Sequence, residues 1–204
     1  MTIKTKYHHG DLRKSLISIA SDMVIEAGIE SLSLRKLAEK IGVSRTAAYH
    51  HFTDKNALLC AIAEQGFERL HKISTDIFSQ VELSGEDKYR QFVRAYIGFA
   101  TENPSLYELM FGRVIWKENN STTTLKNIAY TTFDYQVDMT KLWQAQGVFN
   151  SQENTLRLAQ VSWATLHGIA RLVIDGIYAQ SSQIDEMCEC AINVFLIDSN
   201  QTPR

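Results

Sequence analysis

Arg45, Tyr49, His50 and His51 fall within seven residues, with Lys55 close behind, and the small residues Thr46, Ala47 and Ala48 stand between them. Long side chains with hydrogen-bonding reach, spaced through small ones, suit a surface that must come close to a polyanion. An arginine fork can take guanine O6 and N7 together, and an alanine methyl can touch a thymine methyl. Lys55 supplies a point charge for a phosphate. Other chemistries fit poorly. The two adjacent histidines would point about 100° apart on a helix, a poor start for a joint metal site. Cys188 and Cys190 are spaced more tightly than zinc ligand pairs usually are. No metal or cofactor is therefore expected. There is no phosphate-binding glycine loop, no GxSxG, no HExxH and no paired catalytic cysteine, so the residues describe a binding surface rather than an enzyme.

The elements that must hold these residues lie in the run SLRKLAEKIGVSRTAAYHHF, from Ser33 to Phe52. Ser33 is a suitable N-cap for a short helix whose apolar face is Leu34, Leu37, Ala38 and Ile41. Gly42 can take a positive φ and turn the chain. Val43 can pack under the turn, and Ser44 can satisfy the free N–H groups of a second short helix, Arg45 to about Phe52. This is the outline of a helix-turn-helix. A preceding helix opens near Gly10-Asp11 and carries Leu12, Leu16, Ile19, Ala20, Met23 and Ala27 at spacings of three and four, ending at Gly28. Asp54 caps a long fourth helix, striped by Leu58, Leu59, Ile62, Ala63, Gly66, Leu70, Ile73 and Ile77.

The net charge of −2 hides an asymmetry. Residues 1–60 hold nine basic and six acidic residues, and residues 61–204 hold twelve basic and seventeen acidic ones. A basic head on an acidic body points weakly to a polyanionic partner. Two prolines in 204 residues leave room for long helices, and strand-like alternation is hard to find. An all-α chain is expected. Leu158 to Ala170, the longest stretch free of Asp, Glu, Lys and Arg, is too short to span a membrane. The polar N-terminus shows no secretory signal, and three sparse cysteines fit a reducing compartment. A cytoplasmic protein without membrane partners is expected.

Further along, Tyr89, Phe92, Val93, Tyr96, Phe99 and Ala100 form one helical face, ended by Asn103-Pro104. Pro104 can open a short helix, PSLYELMFG. Helices are then expected over about 123–146, 151–176 and 183–198. Helix 151–176 is apolar on more than one side, so a partner chain is expected to cover part of it. With the last helix it would build a two-fold, four-helix interface from Ala159, Leu166, Ala170, Val173, Ile184, Cys188, Ala191, Ile192 and Phe195. Cys188 also reads as a small buried hydrophobe. A dimer fits helix-turn-helix logic, because two recognition helices must meet half-sites about 34–36 Å apart, or a multiple of that.

The run YHHGDLRKSLISIASDMVIEAG, followed by LSLRKLAEKIGVSRTAAYHHFTDKNALL, resembles the tetracycline-repressor (TetR) family of transcriptional regulators. The likeness rests on Gly10 with Arg13, Ala27-Gly28, Leu37-Ala38, Gly42-Val43-Ser44, Tyr49, His51-Phe52, Lys55 and Leu58-Leu59. Ala48 departs from the pattern, since a larger apolar residue or proline often precedes the tyrosine. The resemblance implies a three-helix DNA-binding domain over residues 1–55 and a helical ligand-binding and dimerisation domain over 56–204. It implies that Ser33 and Arg35 reach the DNA backbone, with Ser44 also among the DNA-binding residues. Arg45, Thr46 and Ala47 would face base edges, and Tyr49, His51 and Lys55 would hold phosphates, with His50 at the groove margin.

In the second half, YIGFATENPSLYELMFG and WATLHGIARLVIDG resemble the branch named for a Trp, His and Gly, here Trp163, His167 and Gly168. Met110, Phe111, Trp116, Tyr130, Phe133, Trp163 and His167 are candidates to line an effector pocket. Aromatics at helical spacing are more often plain core, and the default for His167 is a structural histidine bonded to a neighbouring carbonyl. The resemblance implies a dimeric repressor of a palindromic double-stranded DNA operator, released by a small-molecule effector. An activator, or a repressor without a ligand, would share the same fold.

Overall fold

The computed structural model describes residues 12–117, 120–178 and 181–197, the side chains of Ser181 and Ser182 excepted. The expected opening of the first helix at Gly10-Asp11 lies outside these residues. Among the described residues every regular element is helical: α1 (Leu12–Ala27), a 3-10 turn (Ile29–Ser31), α2 (Leu34–Ile41), α3 (Arg45–His51), α4 (Lys55–Phe78), α5 (Gly85–Glu102), α6 (Pro104–Phe111), α7 (Arg113–Trp116), α8 (Thr123–Ala145), α9 (Thr155–Ile174) and α10 (Ser181–Phe195). No described helix is long and apolar enough to cross a membrane.

Local chemistry fixes most boundaries. Ser33 Oγ accepts from the Lys36 N–H, Ser44 Oγ from the Ala47 N–H and Asp54 Oδ1 from the Ala57 N–H. Gly42 closes α2 in the left-handed region at φ 79°, ψ 29°, where glycine carries no Cβ penalty. Ser84 and Asp87 cap α5 reciprocally: Ser84 Oγ accepts from the Asp87 N–H and its hydroxyl donates to Asp87 Oδ2. The four-residue α7 is too short to show a period, and the sequence gives no sign of it.

The chain folds as two compact units, the first from Met1–Gly66 with Ser105–Lys126 and the second from Phe67–Pro104 with Asn127–Arg204. In the first, α1 packs on α2 and α2 on α3. The buried side of α1 is Leu16, Ile17, Ala20 and Val24. Ile17 and Val24 thus take the core positions expected of Ile19 and Ala27. Arg13 lies over the Phe52 ring at 5.4 Å, which ties α1 to the end of α3 and accounts for both residues in the motif. Gly66 lets α6 approach α4: a Cβ there would stand 2.5 Å from Met110 Sδ and 3.2 Å from Leu106 Cδ1.

In the second unit α5 packs against both α9 and α10. The expected face of α5 is buried throughout, from Tyr89 to Ala100. Tyr89, Trp143, Phe149 and Phe195 form an aromatic cluster, with Tyr89 centred 4.9 Å from Trp143 and 4.7 Å from Phe149. Glu189 on α10 receives Arg90 and Arg94 of α5.

This packing corrects the expected subunit interface. Ala159, Leu166, Ala170, Cys188, Ala191 and Ile192 are buried within one chain, by α5 and by each other's helices. They are not available to a second copy. The sequence shows that a helix side is apolar but not which chain covers it. Val173, Ile184 and Phe195 are half-buried.

Candidate nucleic-acid interface

The rotation of α3 decides what it can present. Ala48 is 0 % exposed and seats the helix against the core, so the residues one and two positions away turn outward. Arg45, Thr46, Tyr49, His50 and His51 are exposed and Ala47 is half-exposed. Tyr49, a large aromatic left 52 % exposed, contributes little to this unit's core. The structure therefore gathers the expected surface from one short helix, with one correction. Ala48 is not part of the small-residue face that would approach a groove; its methyl is buried beneath the helix.

The flanking residues follow from the caps. Ser33 and Ser44 each use a lone pair on a backbone N–H, which leaves each hydroxyl hydrogen to donate outward. Arg35 is exposed on the first turn of α2. Lys55 at the start of α4 stands 3.8 Å from Glu30, whose carboxylate is almost fully exposed. A pair this exposed and this long is weak, so Lys55 can exchange it for a phosphate. His50 and His51 meet edge to face at 5.5 Å. Among the described residues no group of three or more His, Cys, Asp or Glu could hold a metal ion.

The expected effector residues are divided. Met110, Phe111 and Trp116 lie in the first unit, where Met110 is buried at the Gly66 approach, Phe111 packs on Tyr107 at 4.7 Å and Trp116 Nε1 donates to the Met110 carbonyl. Tyr130, Phe133, Trp163 and His167 lie in the second unit. Tyr130 is 61 % exposed and is corrected from pocket wall to surface residue. Phe133 stacks on Trp163 at 5.0 Å, and Trp163 Nε1 donates to the Tyr96 hydroxyl at 2.6 Å. Burial, helped by the nearby Arg171 charge, pushes the His167 imidazole below its usual value.

The second unit has a small cleft the sequence did not reveal, about 10 Å³ in volume, room for about one water. Leu70 and Ser74 of α4, Phe92 and Tyr96 of α5, Thr132 and Gln136 of α8 and Trp163 of α9 line it. Only Trp163 among them belonged to the expected set. Ser74, Thr132 and Gln136 are buried polar residues, the last two on an α8 side that also buries Thr140 and Gln144 beside Leu125, Ala129, Met139 and Trp143. This mixing of polar and apolar residues is the signal that could have found them.

Comparison with known proteins agrees with the geometry. The model for bacterial regulatory proteins of the tetR family matches residues 16–62. A tetracyclin repressor-like C-terminal domain model matches residues 89–195. An uncharacterized HTH-type transcriptional regulator of Bacillus subtilis, YobS, is 24 % identical over 187 residues, 92 % of either chain. The class A tetracycline repressor of Escherichia coli is 36 % identical over 86 residues, 40 % of either chain. A structure of a Rhodococcus protein of unknown function superposes with a TM-score of 0.82 at 32 % identity, over 94 % of this chain and 97 % of that one.

Proposed function

The chain belongs to the tetR family of bacterial regulatory proteins, and on that premise we propose that it is a cytoplasmic homodimer that represses transcription from a palindromic operator and leaves it when a small molecule binds the second unit. The outward row on α3, held in phase by buried Ala48, carries this reading. Arg45, Thr46 and Ala47 read base edges, while Ser33, Arg35, Ser44, Tyr49, His51 and Lys55 engage the backbone and set the register, with His50 at the margin. Trp163, His167 and Gly168, in sequence along α9, support a place in the branch named for those residues.

A second copy docks on the outer face of α9. With Ala159, Leu166 and Ala170 turned inward, Val161, Ala164, Gly168 and Leu172 point the other way. Val161 is 56 % exposed, and a Cβ on Gly168 would meet nothing within 4 Å inside the chain. This face replaces the buried residues as the interface, with Val173, Ile184 and Phe195 at its edges. Release requires an effector that binds the free and DNA-bound states with different affinity. The unit boundary falls inside α4, so that helix is the element through which occupancy of the second unit biases the first.

Fluorescence anisotropy tests the reading. The purified protein should bind its own promoter about 10³-fold or more tightly than a random duplex at moderate ionic strength. Equal affinity for both would reject it.

A further inference from the structure

Asn56, Cys60 and Glu64 recur every fourth residue on α4 and so share one face over successive turns. All three reach one short segment, residues 120–122, which leads into α8. Asn56 Nδ2 donates to the Asn120 carbonyl at 2.6 Å, and the buried Cys60 thiol donates to the same oxygen at 3.6 Å. The Thr122 hydroxyl donates to Glu64 Oε1 at 3.0 Å, and its oxygen accepts from the Leu125 N–H in the first turn of α8. Ser121 and Leu125 are buried. The segment is thus a strap laid along the start of α4, inside the first unit. From it α8 continues into the second unit. Asn56 is the chain neighbour of Lys55 in the first turn of α4. The Asp54 cap steadies that turn from within, through the Ala57 N–H. Glu30, at 3.8 Å from Lys55, is too exposed to fix it. The Asn56 bond ties the turn to a segment 64 residues further along the chain.

We propose that Asn56 is a positioning residue for DNA binding: by hanging the first turn of α4 on the Asn120 carbonyl, it holds Lys55 where a phosphate meets it and joins that contact to the start of α8. The inference rests on the phosphate role of Lys55 given above. Only Lys55 brings a charge to the contact. A neutral amide placed directly on a phosphate would release no counterion, so the salt dependence of binding separates positioning of Lys55 from direct contact by Asn56.

The test follows duplex affinity of the full-length protein against salt by fluorescence anisotropy, on its own promoter and on a random duplex. Asn56→Ala should keep a cooperative thermal transition and bind both duplexes about two- to tenfold more weakly, the range one hydrogen bond supplies. It should also flatten the salt slope by up to about one unit. Added to Lys55→Ala it should flatten the slope no further, because the charge it positions is gone. Thr122→Val should act in the same direction from the α8 side, and Thr122→Ser, which keeps the hydroxyl, should behave as the parent. Iodoacetamide labelling read by mass spectrometry reports on the strap itself. Cys60 should label faster in Asn56→Ala than in the parent, while Cys188, buried in the second unit, keeps its rate. Weaker binding with an unchanged slope would make Asn56 a direct contact, and unchanged affinity would make its bond structural alone; either overturns the proposal. So does an unchanged Cys60 rate, or a double variant flatter than Lys55→Ala. The premise fails separately. A Lys55→Ala slope equal to the parent's refutes the phosphate role, whereas a flattened Lys55→Ala slope beside an unaltered Asn56→Ala slope refutes only the role of Asn56. A parent without promoter preference refutes the regulator reading, and the random-duplex slopes then still decide the role of Asn56.

Discussion

The helix-turn-helix surface and the second-unit cleft solve opposite problems. On α3 the hydrogen-bonding groups are exposed and a buried alanine holds them in place. In the cleft the polar groups are buried and large aromatic residues surround them. Exposed groups remain solvated until DNA replaces the water, so their presence costs the fold little. Gln136 is desolvated on folding, so the fold itself carries that cost. Substitutions on α3 should therefore change binding and spare stability, whereas substitutions in the second unit should change stability first.

The sharpest contrast lies within α9. Ala170→Asp, which the sequence alone would direct at the dimer, should place an unpaired charge in the core and cost about 3–5 kcal/mol, seen as loss of the cooperative thermal transition. Val161→Asp should keep the transition and sediment as a monomer. If Ala170→Asp folds and only dissociates, the distinction between the two faces fails.

The DNA-contact surface should show the reverse pattern. Arg45→Ala should cost about 1–3 kcal/mol at one base position, with an unchanged melting temperature. Equal losses on operator and random DNA would refute its base-reading role. In the aromatic cluster, Tyr89 is buried and its hydroxyl meets no hydrogen-bond partner among the described residues, and burial pushes its pKa above the usual value. Tyr89→Phe should raise stability by about 1 kcal/mol in denaturant titrations. A fall of that size would mean the hydroxyl has a partner.

Lys55→Ala should weaken binding to all duplexes and flatten the salt slope by roughly one unit. Glu30→Gln should act in the opposite direction, and more weakly. His167 should give the smallest effect. Its folded pKa lies below the ordinary 6.5, so the unfolded chain binds the proton first as pH falls. The associated stability is present above pH 6.5 and is lost on acidification through the folded value. His167→Gln should remove that part of the acid-side loss in melts taken from pH 7.5 to 5.

The same contrast explains what the sequence made legible. Ser33, Gly42, Ser44 and Asp54 act on neighbours a few residues away, so the caps and turns were visible, and with them the whole α3 surface. The face of α5 was visible because one period buries one side. Gln136, Thr132 and Ser74 line one cleft because α4, α5, α8 and α9 converge, and no single helix records that. Tyr130 shows the reverse error: aromatic character suggested a wall, but its position on α8 turns it to solvent. Ala159 and Ala170 look identical whether their own chain or a second copy covers them.

Ala48 has one further consequence. Because its methyl is wholly buried, a bulkier residue there has to be taken up by the core beneath α3 or by a shift of the helix, and every exposed side chain on the helix would move with such a shift. Operator preference can thus drift through a position that never touches a nucleotide, and a comparison of paralogues confined to their surface residues would miss the cause.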